Sequence, residues 1–485
     1  MSTSGRSALG DLGRASATAI ARAIREGAIT SEEAVAHHVA AVRAKNPRLN
    51  AVVRDRFADA LDEARAVDAA RSRGEALAPF AGVPCTIKES FALRGMPQSS
   101  GLVARKGHIS SQDGTTVRRL REAGAIPLGV TNTSELCMWM ESANKVYGRT
   151  NNPYDARCTA GGSSGGEGSI VGSGASPFGL GSDIGGSIRM PAFFNGVFGH
   201  KPSSGTVPAT GQYPIAHGRA RYLLATGPIC RKAEDLWPLL QTLAGPDGED
   251  ETTTNALRGT PSDVDLSRLT VLVVRENGRL DVSDELKDAI ERAALALSRR
   301  GAKVKRFAHP LLSKSLEIWA ANMSEGGGPT FAELMGEGVE VPPLRELGRF
   351  LVGRSDHTFP AIGLGLIERI TKRFPSGLAE MSRATGELRA AIEDALGGDS
   401  PAVLLYPPYT QTAPRHGRAL LVPVQWMYTA IFNALELPVT QVPTGLDRKG
   451  LPTGVQVVGG HGTDAITIAV ARQLEESLGG WVAPS

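Results

Sequence analysis

The stretch GGSSGGEGSIVGSGASPFGLGSDIGGSIRMPAFFNGVFGHKPSSG, residues 161–205, limits what this chain can fold into more than any other. Glycine is far denser here than in the chain as a whole, which carries 57 glycines in 485 residues. The glycines alternate with Ile, Val, Leu and Phe, which need burial, so backbone must approach backbone closely in this region. A flexible Gly/Ser linker would lack that apolar content. A Walker-type phosphate loop needs a lysine after its glycines, and none lies between Gly161 and His200. A dinucleotide fingerprint also fails, because after Gly172 and Gly174 the third glycine position holds Pro177.

Within that stretch, GSDIGGSIRMP (181–191) surrounds one hydroxyl, Ser187, with almost no bulk. A serine nucleophile needs such room, since a substrate carbonyl must reach its oxygen and backbone N–H groups must reach the substrate. GGSSG also matches G-x-S-x-G with Ser163 at its centre, the elbow of an α/β-hydrolase-type esterase. That elbow follows an apolar strand, whereas the residues before it, NPYDARCTA, show no strand pattern. The nine histidines are scattered without metal-ligand spacing, so no metal and no cofactor are expected. Ser–His–Asp catalysis finds no support in the pattern but stays open.

The rest of the chain alternates strands and helices. TSEEAVAHHVAAVRAKNP opens with a Thr30/Glu33 capping box and reads as a helix stopped by Pro47. A second helix is expected from Asp55 to about Arg73. GVPCTIK (82–88) reads as a strand, and TTVRRLREAGAIPLGVTN as a helix, a Gly124 stop and a buried strand. The same alternation recurs in LTVLVVREN, PAVLLYPP, WMYTAIFNALELPVTQVP and GVQVVGG. It predicts an α/β fold: a single large domain, 1–485, with a mixed, largely parallel, twisted sheet covered by helices on both faces. Residues 1–75 form N-terminal helices, 76–210 the catalytic core, and 310–400 a helical lobe or lid.

Net charge is +3, which gives no field for nucleic acid. Four cysteines, Cys85, Cys137, Cys158 and Cys230, are too few for a disulfide scaffold and fit a reduced cytoplasm. The N-terminus lacks the apolar run of a signal peptide or membrane anchor, and 419–439 is interrupted by Pro423, Gln425, Asn433 and Glu436. A buried helix and strand are expected there. The expected location is cytoplasmic.

Taken together, GVPCTIKES, the 161–205 segment and LPVTQVPTGLDRKGLPTGVQVVGG resemble the amidase signature family, with the motifs in order. Within it, GSDIGGSIRMPAFFNGVFGHKPS is most similar to fatty acid amide hydrolases of the second type and to bacterial aryl-acylamidase-like enzymes. The resemblance implies a hydrolase cleaving carboxylic amides through an acyl-enzyme. It assigns Ser187 as nucleophile, Ser163 as the hydroxyl passing its proton, and Lys88 as base and later acid. It also implies a cis peptide bond before Ser163. A lysine's ordinary pKa is about 10.4, and bringing it to pH 7 takes roughly 5 kcal/mol, which burial can supply. Lys88 closes an apolar strand, where a buried amine could be held; otherwise it is a surface lysine beginning a loop.

The N–H groups of Ile184, Gly185, Gly186 and Ser187 are expected to form the oxyanion hole, helped by a short helix after Ser187. Asp183 and Arg189 would brace the loop, and Ser164 would support it. In the resemblance the segment between Lys88 and Ser163 lines the acyl pocket. Cys137, Met138, Trp139 and Met140 are its bulky apolar residues, and core packing is the competing reading. The expected partner is a small-molecule amide, hydrophobic on its acyl or aryl side; a homodimer stays open. The runner-up is the glutamine amidase subunit of a tRNA-dependent amidotransferase, from which Ile184 departs.

Overall fold

The computed structural model describes residues 12–254, 257–371, 377–398 and 400–485. Thr30 Oγ1 accepts from the Glu33 N–H and Glu33 returns the bond to the Thr30 N–H, so the expected capping box starts helix Ser31–Leu49. Pro47 does not stop it. The helix ends where Asn50 turns left-handed (φ 50°), and the Asn46 side chain accepts from the Ala51 and Val52 N–H groups beyond it. The next helix is Phe57–Ser72.

Among the described residues thirteen strands follow one another: β1 Val52–Asp55, β2 Pro84–Lys88, β3 Ile126–Thr131, β4 Ala143–Asn144, β5 Gly148–Arg149, β6 Phe178–Asp183, β7 Phe198–Lys201, β8 Ala225–Cys230, β9 Thr270–Val273, β10 Lys303–Arg306, β11 Ala402–Tyr406, β12 Val439–Leu446 and β13 Pro452–Val458. β4 and β5 pair by themselves; the others form one mixed sheet in the order β1-β3-β2-β6-β8-β7-β12-β13-β11-β9-β10. The parallel ladders lie in its flanks, β3-β2-β6 on one side and β11-β9-β10 on the other. The strands between them run antiparallel, as does edge strand β1 against β3.

Alternate residues of the strands feed two different hydrophobic clusters. Val403 and Leu405 of β11 point into one and Leu404 and Tyr406 into the other; Val271 and Val273 of β9 part from Leu272 in the same way. Both faces are thus buried under helices, which is why β2, β3, β6 and β8 are buried throughout. The outer strand β10, sequence KVKR, is wholly exposed and its charges blunt that edge.

Between 310 and 400 the chain is helical as expected, with helices Ser315–Ser324, Phe331–Met335, Pro343–Leu351, Phe359–Thr371 and Leu378–Leu396. The 419–439 stretch yields helix Met427–Ala434 before β12. Among the described residues no helix is long and apolar enough to cross a membrane.

In the glycine-rich segment, helix Gly165–Gly172 is buried along its whole length. It lies so close to the residue after β3 that a Cβ on Gly166 would stand 2.4 Å from the Asn132 nitrogen. β6 then runs parallel to β2, with Ile87 opposite Leu180, so Lys88 and Ser182–Asp183 finish side by side. Functional sites of open α/β sheets form at such carboxyl ends of parallel strands.

Candidate active site

Lys88 is fully buried, and its Nζ lies 2.7 Å from Ser163 Oγ and 2.9 Å from Ser182 Oγ. Burial lowers its pKa from the ordinary 10.5, while Cys137, Asp183 and Glu167 push it back up. The Gly162–Ser163 peptide bond is cis. Gly162 lies against the 139–141 loop, where a Cβ would stand 2.4 Å from the Trp139 carbonyl oxygen. Ser164 donates its N–H to the Ser187 carbonyl (3.2 Å) and its hydroxyl to the Ser182 carbonyl (3.3 Å), which joins the two serine loops. Exposure rises from Lys88 at 0% through Ser163 at 1% to Ser187 at 8%, so Ser187 is the one of the two hydroxyls nearer to solvent.

The loop carrying Ser187 folds around the Asp183 carboxylate. That carboxylate accepts from the Gly186 and Ile188 N–H groups, at 2.7 and 3.0 Å, and pairs with the Arg189 guanidinium. Arg189 also reaches the Thr429 carbonyl, Gln456 and Asn433, so the expected bracing by Asp183 and Arg189 is present in the geometry. One of the four expected oxyanion donors is corrected by it. The Gly186 N–H is spent on Asp183, because Gly186 sits at φ +120° and turns that peptide inward. Among the described residues, the N–H groups of Ile184, Gly185 and Ser187 have no protein acceptor. The helix that follows, Arg189–Phe194, is only six residues long.

The four residues expected to line an acyl pocket separate. Met140 is buried in the hydrophobic core, with its sulfur accepting from Tyr409 OH, so its place is packing. Met138 and Trp139 are half-buried. Cys137 turns toward Lys88 and lies 3.4 Å from Thr133 Oγ1. Leu136 and Cys137 both hold positive φ, 54° and 60°, a backbone state that non-glycine residues adopt at a cost of about 1–2 kcal/mol each. Glu135 anchors this turn by accepting from the Thr358 N–H and pairing with His357 in the helical 310–400 region.

Several neighbours of these residues carried no sequence signal. Ser182 is a second partner of Lys88. Trp319 and Trp426, half-buried and edge-to-face at 4.6 Å, stand over Gly185. The Ser–His–Asp possibility resolves into a buried structural cluster: the Ser203 hydroxyl donates to Asp464 (2.6 Å), and His200 binds the same carboxylate. Among the described residues no strand runs directly into Ser163, so the esterase elbow has no basis in the fold.

A family model described as Amidase matches residues 33–468. Fatty-acid amide hydrolase 2-A of Danio rerio is 45% identical, over 97% of this chain and 90% of its own. Fatty-acid amide hydrolase 2 of Homo sapiens is 43% identical, over 96% and 89%. The solved structure of a bacterial aryl acylamidase of the amidase signature family superposes with a TM-score of 0.76 at 24% identity, covering 96% of both chains, a likeness of fold. The chain belongs to the amidase signature family. Its reaction is the hydrolysis of amide bonds.

Proposed function

We propose that Ser187, Ser163 and Lys88 carry out this hydrolysis on amides of hydrophobic acyl or aryl groups. The observation that carries the reading is the fully buried Lys88 amine, 2.7 Å from Ser163 Oγ. A buried, neutral amine accepts the Ser163 proton as Ser163 takes that of Ser187. The freed Ser187 oxygen attacks the amide carbon. The carbonyl oxygen takes the negative charge and accepts from the N–H groups of Ile184, Gly185 and Ser187. Collapse breaks the C–N bond while the proton on Lys88 returns through Ser163 to the departing nitrogen. Water then attacks the Ser187 ester, losing its proton along the same route, and the acid is released.

The preference for apolar substrates is supported by the half-buried rings of Trp319 and Trp426 beside Gly185, by half-buried Met138 and Trp139, and by the names of the relatives. The four free cysteines support a reducing compartment such as the cytoplasm. The test is a panel of anilides, long-chain acyl amides, acetamide and glutamine, run on the wild type and on Ser187→Ala. Hydrophobic amides should turn over fastest, and Ser187→Ala should be inactive on all of them. Acetamide or glutamine turned over as fast as an anilide would refute the substrate reading. An active Ser187→Ala would refute the assignment of the nucleophile.

A further inference from the structure

Four consecutive carbonyls lead into the nucleophile, and each accepts a hydrogen bond. The Asp183 carbonyl accepts from Asn433 Nδ2 at 2.9 Å, the Ile184 carbonyl from Trp319 Nε1 at 2.7 Å, and the Gly185 carbonyl from Thr429 Oγ1 at 2.8 Å. The Gly186 carbonyl accepts from the Met190 N–H at 2.8 Å. The peptide units between Asp183 and Ser187 are trans, so in each the C=O and the following N–H point in opposite directions. Fixing a carbonyl therefore aims the next residue's N–H.

The Gly185–Gly186 unit shows the rule at work, since its carbonyl is held by Thr429 and its N–H points away, at Asp183. The Ile184–Gly185 unit differs in what its N–H finds. Its carbonyl is held by the Trp319 indole, and the Gly185 N–H on the far side has no protein acceptor among the described residues. Glycine at 185 has no side chain to resist rotation of that unit. The indole bond is the hydrogen bond that holds this unit's own carbonyl, between neighbouring units fixed by Asn433 and Thr429.

We infer that Trp319 is a positioning residue for amide hydrolysis: by holding the Ile184 carbonyl it presents the Gly185 N–H to the oxyanion that forms on the substrate. Trp319 belongs to helix Ser315–Ser324, outside the glycine-rich segment, and its ring is fixed edge-to-face against Trp426. The helical 310–400 region thereby supplies part of the electrostatic preorganisation as well as a wall. This inference rests on Ser187 being the nucleophile.

The test removes the N–H and leaves an aromatic ring in its place. Trp319→Phe should lower kcat about tenfold with KM little changed, the loss expected for one hydrogen bond that matters in the transition state. Affinity for a trifluoromethyl ketone carrying the same acyl group, which forms the tetrahedral oxyanion on Ser187, should fall by the same factor. A purely structural role for the ring would not move these two quantities together. To guard against misfolding, the indole is also replaced by its benzothiophene isostere, which has the same shape and no N–H; it should reproduce the loss at wild-type Tm. Wild-type kcat and ketone affinity in the isostere, beside an inactive Ser187→Ala, would overturn this inference alone. A raised KM at unchanged kcat would also overturn it, leaving the ring as a substrate wall. Activity in Ser187→Ala would bring down the underlying reading and this one with it.

Discussion

Asp183 and Arg189 form an ion pair with no solvent exposure on either side chain, with Arg189 Nη2 2.9 Å and Nε 3.0 Å from the two carboxylate oxygens. Burial alone would raise the Asp183 pKa, but the Arg189 guanidinium and the Asn433 amide hold it well below the usual carboxylate range. Removing one partner of such a pair leaves an uncompensated buried charge and costs about 3–5 kcal/mol. Asp183→Asn preserves the shape and strands Arg189. We expect a loss of that size in thermal unfolding, together with a fall in kcat, because the same carboxylate fixes the Gly186 and Ile188 N–H groups. The exposed Arg118–Glu122 pair is the control, worth about 0.3–0.5 kcal/mol. Equal stabilities for Asp183→Asn and Glu122→Gln would contradict the role given to the buried pair.

The proposed role of Lys88 as base is tested by the pH profile. Burial favours its neutral form, so kcat/KM should rise with pH through a midpoint below the ordinary 10.5 and fall on the acid side as Lys88 takes up a proton. Lys88→Met should lower kcat by roughly 10²–10⁴-fold and abolish that acid limb. A Lys88→Met variant with the wild-type profile would assign the limb to another group.

Cys137 moves the same limb in a direction that can be worked out. The Cys137 sulfur beside Lys88 favours the charged ammonium, against the larger effect of burial. Cys137→Ala removes that contribution, so Lys88 loses its proton at a lower pH and the acid limb of kcat/KM shifts downward. The Cys137→Ser limb should lie between the two. An upward shift in Cys137→Ala would show that the thiol acts on the base in the opposite sense.

Much of the candidate site is local in the chain, and the placing of those residues together was legible. Residues 161–205 advertise it because close backbone packing demands glycine, and the apolar PCTIK strand, read with the family resemblance, points to Lys88. The parts that were not legible are side chains arriving from far away in sequence. Trp319, Thr429 and Asn433 lie 135, 244 and 250 residues from the carbonyls they hold, and nothing in their own neighbourhoods marks them. The Gly186 N–H was misassigned for a related reason. Its direction depends on φ at Gly186 and on the Asp183 carboxylate below it, which composition does not encode. Pro47 was read as a stop, but an αL residue at Asn50, supported by the Asn46 side chain, ends that helix.

Glu167 gives a prediction about stability. It is fully buried in helix Gly165–Gly172, its carboxyl held by the hydroxyls of Thr86 at 2.5 Å and Thr131 at 2.8 Å. Burial pushes its pKa up to about 8, against the ordinary 4.5, although both hydroxyls and Lys88 oppose the rise. Between these two values the folded protein keeps the Glu167 proton and the unfolded chain has lost it. The folded state binds more protons there, so the contribution to stability is complete below pH 4.5 and is lost as pH rises through 8. The slope approaches about 1.4 kcal/mol per pH unit in the middle of that window. Glu167→Gln supplies one donor and one acceptor for the same two hydroxyls and does not titrate. Chemical denaturation at a series of pH values should therefore give a wild-type-minus-Gln difference that declines steadily from pH 5 to pH 8 and levels off above. Glu89, whose pKa burial raises to about 7, titrates in both proteins and cancels from that difference. A difference that stays flat across the window would mean that Glu167 enters the folded state already ionised.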